Sequence, residues 1–72
     1  MYIDFDIDVN RNQLPDYLRE TMDDLDNCYK NNDELRFCKI LPNIISCTNC
    51  AEANHQINMS EYKYIRERYG LV

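Results

Sequence analysis

Residues 14–29, LPDYLRETMDDLDNCY, decide the fold class of this chain. Apolar side chains recur there at steps of four, four, three and four residues, at Leu14, Leu18, Met22, Leu25 and Tyr29. This spacing places one apolar stripe along an α-helix, with acidic and polar side chains on the opposite side. The stretch therefore predicts an amphipathic helix that packs against other elements through its stripe.

The ends of this first helix are predicted from capping chemistry. Asn12 is expected at the N-cap, and Pro15 suits the first turn, where its missing N–H is not needed. Asn31 and Asn32 can adopt the left-handed conformation that ends a helix. We predict a helix over residues 12–31.

A second helical segment is predicted over residues 33–55, with Asp33 as its N-cap. Its apolar residues are numerous, so we expect it to be the most buried helix. Pro42 lies inside this segment. Because proline removes a hydrogen bond and crowds the preceding turn, we expect the helix to be kinked or split there.

A third helix is predicted over residues 58–69, and its boundaries are the best defined. Asn58 and Glu61 have the spacing of a capping box, in which each side chain bonds the other residue's backbone N–H. Gly70, the single glycine of the chain, stands at the C′ position, where a left-handed residue ends a helix.

Residues 1–10 form a different kind of segment. Apolar and acidic residues alternate there as Ile3, Asp4, Phe5, Asp6, Ile7, Asp8 and Val9. A period of two predicts an extended, strand-like arm. A lone strand leaves backbone groups unpaired, so the arm would pair with a second copy, a partner or an unseen strand, or else lie on the helices.

The predicted fold is thus mainly α: a small three-helix domain with an N-terminal strand-like arm, in one domain over residues 1–72. A core of this size leaves little volume for a catalytic pocket, so we expect no enzyme. No apolar run reaches the ~18 residues of a membrane span. The N-terminus is acidic and lacks a signal-peptide pattern. We expect a cytoplasmic protein (in a host cytoplasm, if phage-encoded) with reduced cysteines and no membrane contact.

Charge is unevenly divided along the chain. Residues 1–34 hold ten acidic and three basic side chains, whereas residues 35–72 hold three acidic and five basic ones. An acidic half cannot bind a phosphate backbone, so we expect no direct nucleic-acid binding. It suits the basic surface of a larger protein. The alternative interpretation is that these carboxylates only solvate a helix face.

The candidate partner-binding residues lie on the first helix. Five carboxylates would form an electrostatic face, and a tyrosine outside the apolar stripe would anchor the partner. These residues are Asp16, Tyr17, Glu20, Asp23, Asp24 and Asp26.

Cys38, Cys47, Cys50 and His55 give the pattern C-x8-C-x2-C-x4-H, which could bind Zn²⁺ tetrahedrally. The residues between Cys47 and Cys50 belong to a helical stretch rather than to the turn of a zinc knuckle. We therefore favour reduced core thiols and predict no metal or other cofactor. A zinc-stabilised regulatory domain is an alternative.

The C-terminal residues 57–72, INMSEYKYIRERYGLV, resemble the ending of small helical accessory proteins of Firmicutes and their phages. The matching residues are Ile57, Ser60, Tyr62, Ile65, Arg68, Tyr69 and Gly70. The resemblance covers the last quarter of the chain and implies an accessory protein of a mobile element, without catalytic residues.

The leading hypothesis is a protein-binding module that inhibits or modulates a larger protein, one that handles nucleic acid or serves in defence. Small acidic phage proteins, including some anti-CRISPR proteins, are similar in size and charge. The alternatives are the zinc-stabilised domain and a structural homodimer joined through the N-terminal strand.

Overall fold

The computed structural model describes residues 1–71. A short 3₁₀ helix, Arg11–Gln13, precedes three α-helices: α1 (Asp16–Lys30), α2 (Glu34–Ala53) and α3 (Met59–Arg68). α1 packs extensively along α2, and α2 also contacts α3. The predicted mainly helical, three-helix domain is confirmed. Across residues 1–71, no helix combines the length and apolarity that a membrane span requires.

The predicted stripe of α1 forms the centre of the core. Leu18, Met22 and Leu25 are fully buried, and they share the core with Ile44 of α2 and Ile65 of α3. The last member of the stripe differs from the prediction, because Tyr29 is 39% exposed. Cys28, three residues after Leu25 instead of four, is buried in its place.

The start of α1 differs from the prediction. Asn12 does not cap it, because this residue lies within the 3₁₀ helix, where its N–H donates to the Asn10 side chain. Pro15 occupies the N-cap position of α1. A residue that precedes proline is pushed out of the helical region, and Leu14 is accordingly extended, with ψ of 148°. No helix can therefore run from residue 12 through residue 15.

α2 runs without interruption from Glu34 to Ala53, so of the two predicted alternatives at Pro42, a kinked or a split helix, the split is ruled out. A proline in a helix removes the bond to the carbonyl four residues earlier, here that of Cys38. Both Pro42 and Cys38 are exposed, so water can bond this carbonyl. The buried residues Phe37 and Ile44 on either side hold the helix against the core.

All three helices end in the same way, with one residue in the left-handed region. These residues are Asn32 (φ 56°), His55 (φ 58°) and Gly70 (φ 69°). In each case the next amide donates back to a carbonyl of the last turn at 2.8 Å. The predicted ends at Asn32 and Gly70 and the capping box of Asn58 and Glu61 are present. The second helix was predicted to end at residue 55, but the left-handed conformation of His55 was not predicted.

The N-terminal segment does not form the predicted strand, and residues 1–71 contain no strand at all. The segment turns at Phe5 and lies against the end of α3, with Ile3 buried. The Asp4 N–H donates to the Arg68 carbonyl at 2.8 Å, and the Arg68 guanidinium donates to the Ile7 carbonyl at 2.6 Å. Because α3 supplies these bonds, the described segment presents no strand for pairing with a second copy.

Candidate protein-binding surface

A charged junction joins the N-terminal region, α1 and α3. The Asp26 carboxylate lies at its centre and is 13% exposed. One of its oxygens accepts from Arg11 at 2.7 Å and from Arg68 at 3.0 Å, and the other accepts from the Tyr69 hydroxyl at 3.1 Å. Asp26 of α1 thus ties three parts of the chain together, since Arg11 belongs to the 3₁₀ helix while Arg68 and Tyr69 belong to the end of α3.

Arg68 is the most buried charged residue of this junction, with 3% exposure. Burial lowers its pKa, but the hydrogen bond with Tyr69 and the charge of Asp26 raise that pKa by more, so the guanidinium stays charged. It also lies over the Phe5 ring, 5.2 Å from the ring centroid. Arg68 therefore holds the N-terminal segment through both polar and aromatic contacts.

Tyr69 completes the junction from the end of α3. Burial raises the pKa of its hydroxyl, and the charge of Asp26 raises it further, while the hydrogen bond with Arg68 opposes the shift. The hydroxyl therefore keeps its proton at any physiological pH and can donate to Asp26.

The remaining predicted partner-binding residues lie on the outward side of α1. Asp16 pairs with Arg19, and Asp23 pairs with Arg11. Glu20 and Asp24 are exposed, and neither forms an ion pair or hydrogen bond within residues 1–71. These two carboxylates are therefore available to an external cation, whereas Asp26 is engaged internally.

Tyr17, the predicted anchor, is 37% exposed. Its hydroxyl donates to the Gln56 side chain, which follows α2. Its ring is thus held at the edge between α1 and the loop after α2. The tyrosine can contact a partner only with the part of the ring that this bond leaves open.

A cleft between the N-terminal segment and α3 contains further acidic residues, which were not predicted to bind a partner. Its volume is about 260 Å³, and its lining residues are Asp6, Ile7, Asp8, Tyr64 and Glu67. The spacing of Tyr64 and Glu67 places them on one side of α3, which was visible in the sequence. The sequence does not show that they lie close to Asp6 and Asp8, because this proximity depends on how the N-terminal segment folds back.

The cleft and the outward side of α1 are connected through Arg11. Its guanidinium pairs with Asp8 beside the cleft, at 3.5 Å, and with Asp23 on α1. We define the acidic surface as the carboxylates of this continuous region: Asp6, Asp8, Glu20, Asp23, Asp24 and Glu67.

The candidate zinc residues do not come together. Cys38 precedes Cys47 by nine residues in one helix, which places the two on opposite sides and about 13 Å apart along the axis. Within residues 1–71, no group of three or more His, Cys, Asp or Glu side chains could hold a metal ion. The prediction that these cysteines are core thiols is wrong for Cys38 and Cys50, which are exposed, and Cys47 is only half-buried.

No protein-family model, curated protein or solved structure matches this chain.

Proposed function

We propose that this chain is a small, acidic, non-enzymatic protein-binding module that docks onto a basic surface of a larger protein. The acidic surface carries the proposal. Its six carboxylates outnumber the cation that pairs within it, Arg11, whose side chain is 22% exposed, so the surface keeps a net negative charge. Glu20 and Asp24 in particular keep their charge available to a partner. A surface of one sign raises the rate of encounter with a surface of the opposite sign.

The cleft supplies a place for a basic side chain of the partner. Tyr64 is 50% exposed, and Asp6, Asp8 and Glu67 lie around the same opening. A lysine or arginine that entered it would meet carboxylates and the face of an aromatic ring, and both stabilise a cation.

The charged junction beneath the surface favours binding without rearrangement. Asp26, Arg68 and Tyr69 hold the N-terminal segment on α3, so Asp6 and Asp8 are positioned before a partner arrives. A preorganised surface avoids part of the entropic cost of association.

The proposal extends to the biological role. A basic surface large enough to receive this chain is typical of proteins that bind nucleic acid, so docking would mask that surface and inhibit or modulate the larger protein. An inhibitor of this kind, made by a phage or another mobile element and acting in the host cytoplasm, agrees in size and charge with the chain.

The test is affinity capture of the tagged full chain from the lysate of its native host, at low and high salt, with identification by mass spectrometry. We expect one large partner that is retained at low salt and lost at high salt, because salt screens exposed charges. A partner retained equally at both salt concentrations would contradict the electrostatic proposal.

Two variants with the same charge change sharpen this test. Asp24→Lys reverses an unpaired carboxylate of the acidic surface and should weaken binding by about tenfold or more. Glu34→Lys makes the same change in the first turn of α2, outside that surface, and should bind like the wild type. Equal affinities of the two variants would show that the carboxylates of α1 only solvate the helix.

A further inference from the structure

Cys47 and Cys50 lie on one side of α2, separated by three residues within an unbroken helix. Cys50 is exposed and Cys47 is half-buried, so solvent reaches the pair. Residues at this spacing have Cβ atoms about 5–6 Å apart. The two thiols therefore form a pair that neither the charged junction nor the acidic surface uses.

The spacing favours a bridged pair over a disulfide. A disulfide requires Cβ atoms about 3.5–4.5 Å apart, which a regular helix does not provide at this spacing. A metal ion inserted between the sulfurs adds two metal–sulfur bonds of about 2.3 Å and spans the longer distance. The helix can then keep its geometry when the ion binds.

One polar group beside the pair can donate to a thiolate at Cys50. The Asn54 side-chain amide donates to the Cys50 sulfur at 3.3 Å. The Cys47 sulfur lies 3.7 Å from the Thr21 hydroxyl, which accepts from the thiol because its own proton is donated to the Tyr17 carbonyl.

We propose that Cys47 and Cys50 form a dithiol site for one soft, thiophilic metal ion of the Cu(I) class. Thiolates select such ions over harder ones. On binding, each thiol releases its proton to solvent and each sulfur donates an electron pair to the ion, so no group is oxidised or reduced. Zn²⁺ is disfavoured, because it requires four ligands and residues 1–71 bring no third cysteine or histidine to the pair.

The experiment is an anaerobic titration of the full chain with Cu(I) against a coloured Cu(I) chelator, with native mass spectrometry to count ions per chain. We expect one Cu(I) per chain and an ultraviolet thiolate-to-metal absorption band. Excess Zn²⁺ should leave the bound Cu(I) in place. Binding of one ion between two chains, or no competition with the chelator, would overturn the proposal.

Single-cysteine variants locate the site. Cys50→Ser changes an exposed residue and should fold normally, yet weaken Cu(I) binding by more than about a hundredfold, the upper range for loss of an outer-sphere group. Cys47→Ser should do the same. Cys38→Ser removes another exposed thiol, on the side of α2 opposite Cys47, and should bind like the wild type. An equal loss in Cys38→Ser would show nonspecific thiol binding and refute the dithiol site.

Discussion

Asp24 and Asp26 are two residues apart on α1 and carry the same side chain, but they have different environments. Asp26 is 13% exposed and bonds Arg11, Arg68 and Tyr69. Asp24 is exposed, and its side chain forms no ion pair or hydrogen bond within residues 1–71. A rotation of about 200° between the two positions turns one carboxylate inward and the other outward. The acidic residues of one helix therefore divide into a structural group and a group available for binding.

The largest expected effect is a difference in the free energy of unfolding between variants of Asp26 and Asp24. Asp26→Ala leaves Arg68 buried without its counter-charge, and removal of one partner from a buried ion pair costs about 3–5 kcal/mol. Asp24→Ala should change the free energy of unfolding by less than about 0.5 kcal/mol. Urea denaturation followed by circular dichroism measures both. Similar losses in the two variants would abolish the distinction.

A smaller loss is expected for Tyr69→Phe. The ring stays buried, but the hydroxyl that donates to Asp26 at 3.1 Å is removed. Loss of a buried hydrogen bond to a charged group costs about 1.5–3 kcal/mol. Tyr64→Phe is the matched control, because Tyr64 is 50% exposed, and its stability in the same urea titration should equal that of the wild type. An unchanged Tyr69→Phe would show that Asp26 does not depend on this bond.

Alkaline pH should weaken the same junction. Burial, with the charge of Asp26, raises the pKa of Tyr69 in the folded chain, whereas an unfolded tyrosine titrates near pH ~10. The unfolded state thus loses its proton first. The contribution of Tyr69 to the free energy of unfolding should be fully present below that pH. Above it, this free energy should fall by up to about 1.4 kcal/mol per pH unit. Urea midpoints at increasing pH should fall less steeply for Tyr69→Phe, and identical slopes would contradict the assignment.

The smallest effect is expected for the available carboxylates. Glu20→Gln with Asp24→Asn removes two negative charges from a chain of net charge −5. Weaker self-repulsion should leave stability unchanged or raise it by at most about 0.5 kcal/mol, with any gain disappearing at high salt. Thermal unfolding at two salt concentrations measures this. A marked loss of stability would mean that these residues have intramolecular roles after all.

The local features of the fold were predictable because local chemistry determines them. The stripe Leu18, Met22 and Leu25, the capping box of α3 and the left-handed Gly70 all involve residues within a few positions of each other. Local patterns did not decide two features beside prolines: the start of α1, which was predicted wrongly, and the choice between one kinked helix and two helices at Pro42. Pro15 keeps Leu14 extended, so α1 begins only at Asp16. Pro42 lies inside α2, because packing on both sides of it outweighs one lost hydrogen bond.

The candidate surface was predictable only in part. Glu20 and Asp24 were assigned to an outward face from helix periodicity, and both are exposed. Asp26 was assigned to the same face, but no local pattern indicates that Arg68 lies beside it. The alternation in residues 2–9 suggested a strand, because period two describes side-chain alternation and not the groups that pair with the backbone.

The sequence by itself determined three helices, the capping box of α3, the left-handed ends at Asn32 and Gly70 and the negative charge of the N-terminal half, since propensity, capping and composition act over a few residues. Only the tertiary structure decided which aspartate is buried, how residues 1–10 turn and where the acidic cleft opens. These features depend on contacts such as that of Asp26 with Arg68, 42 positions apart. Such a contact forms only when the buried stripes bring α1 and α3 together, and its energy appears in no local pattern.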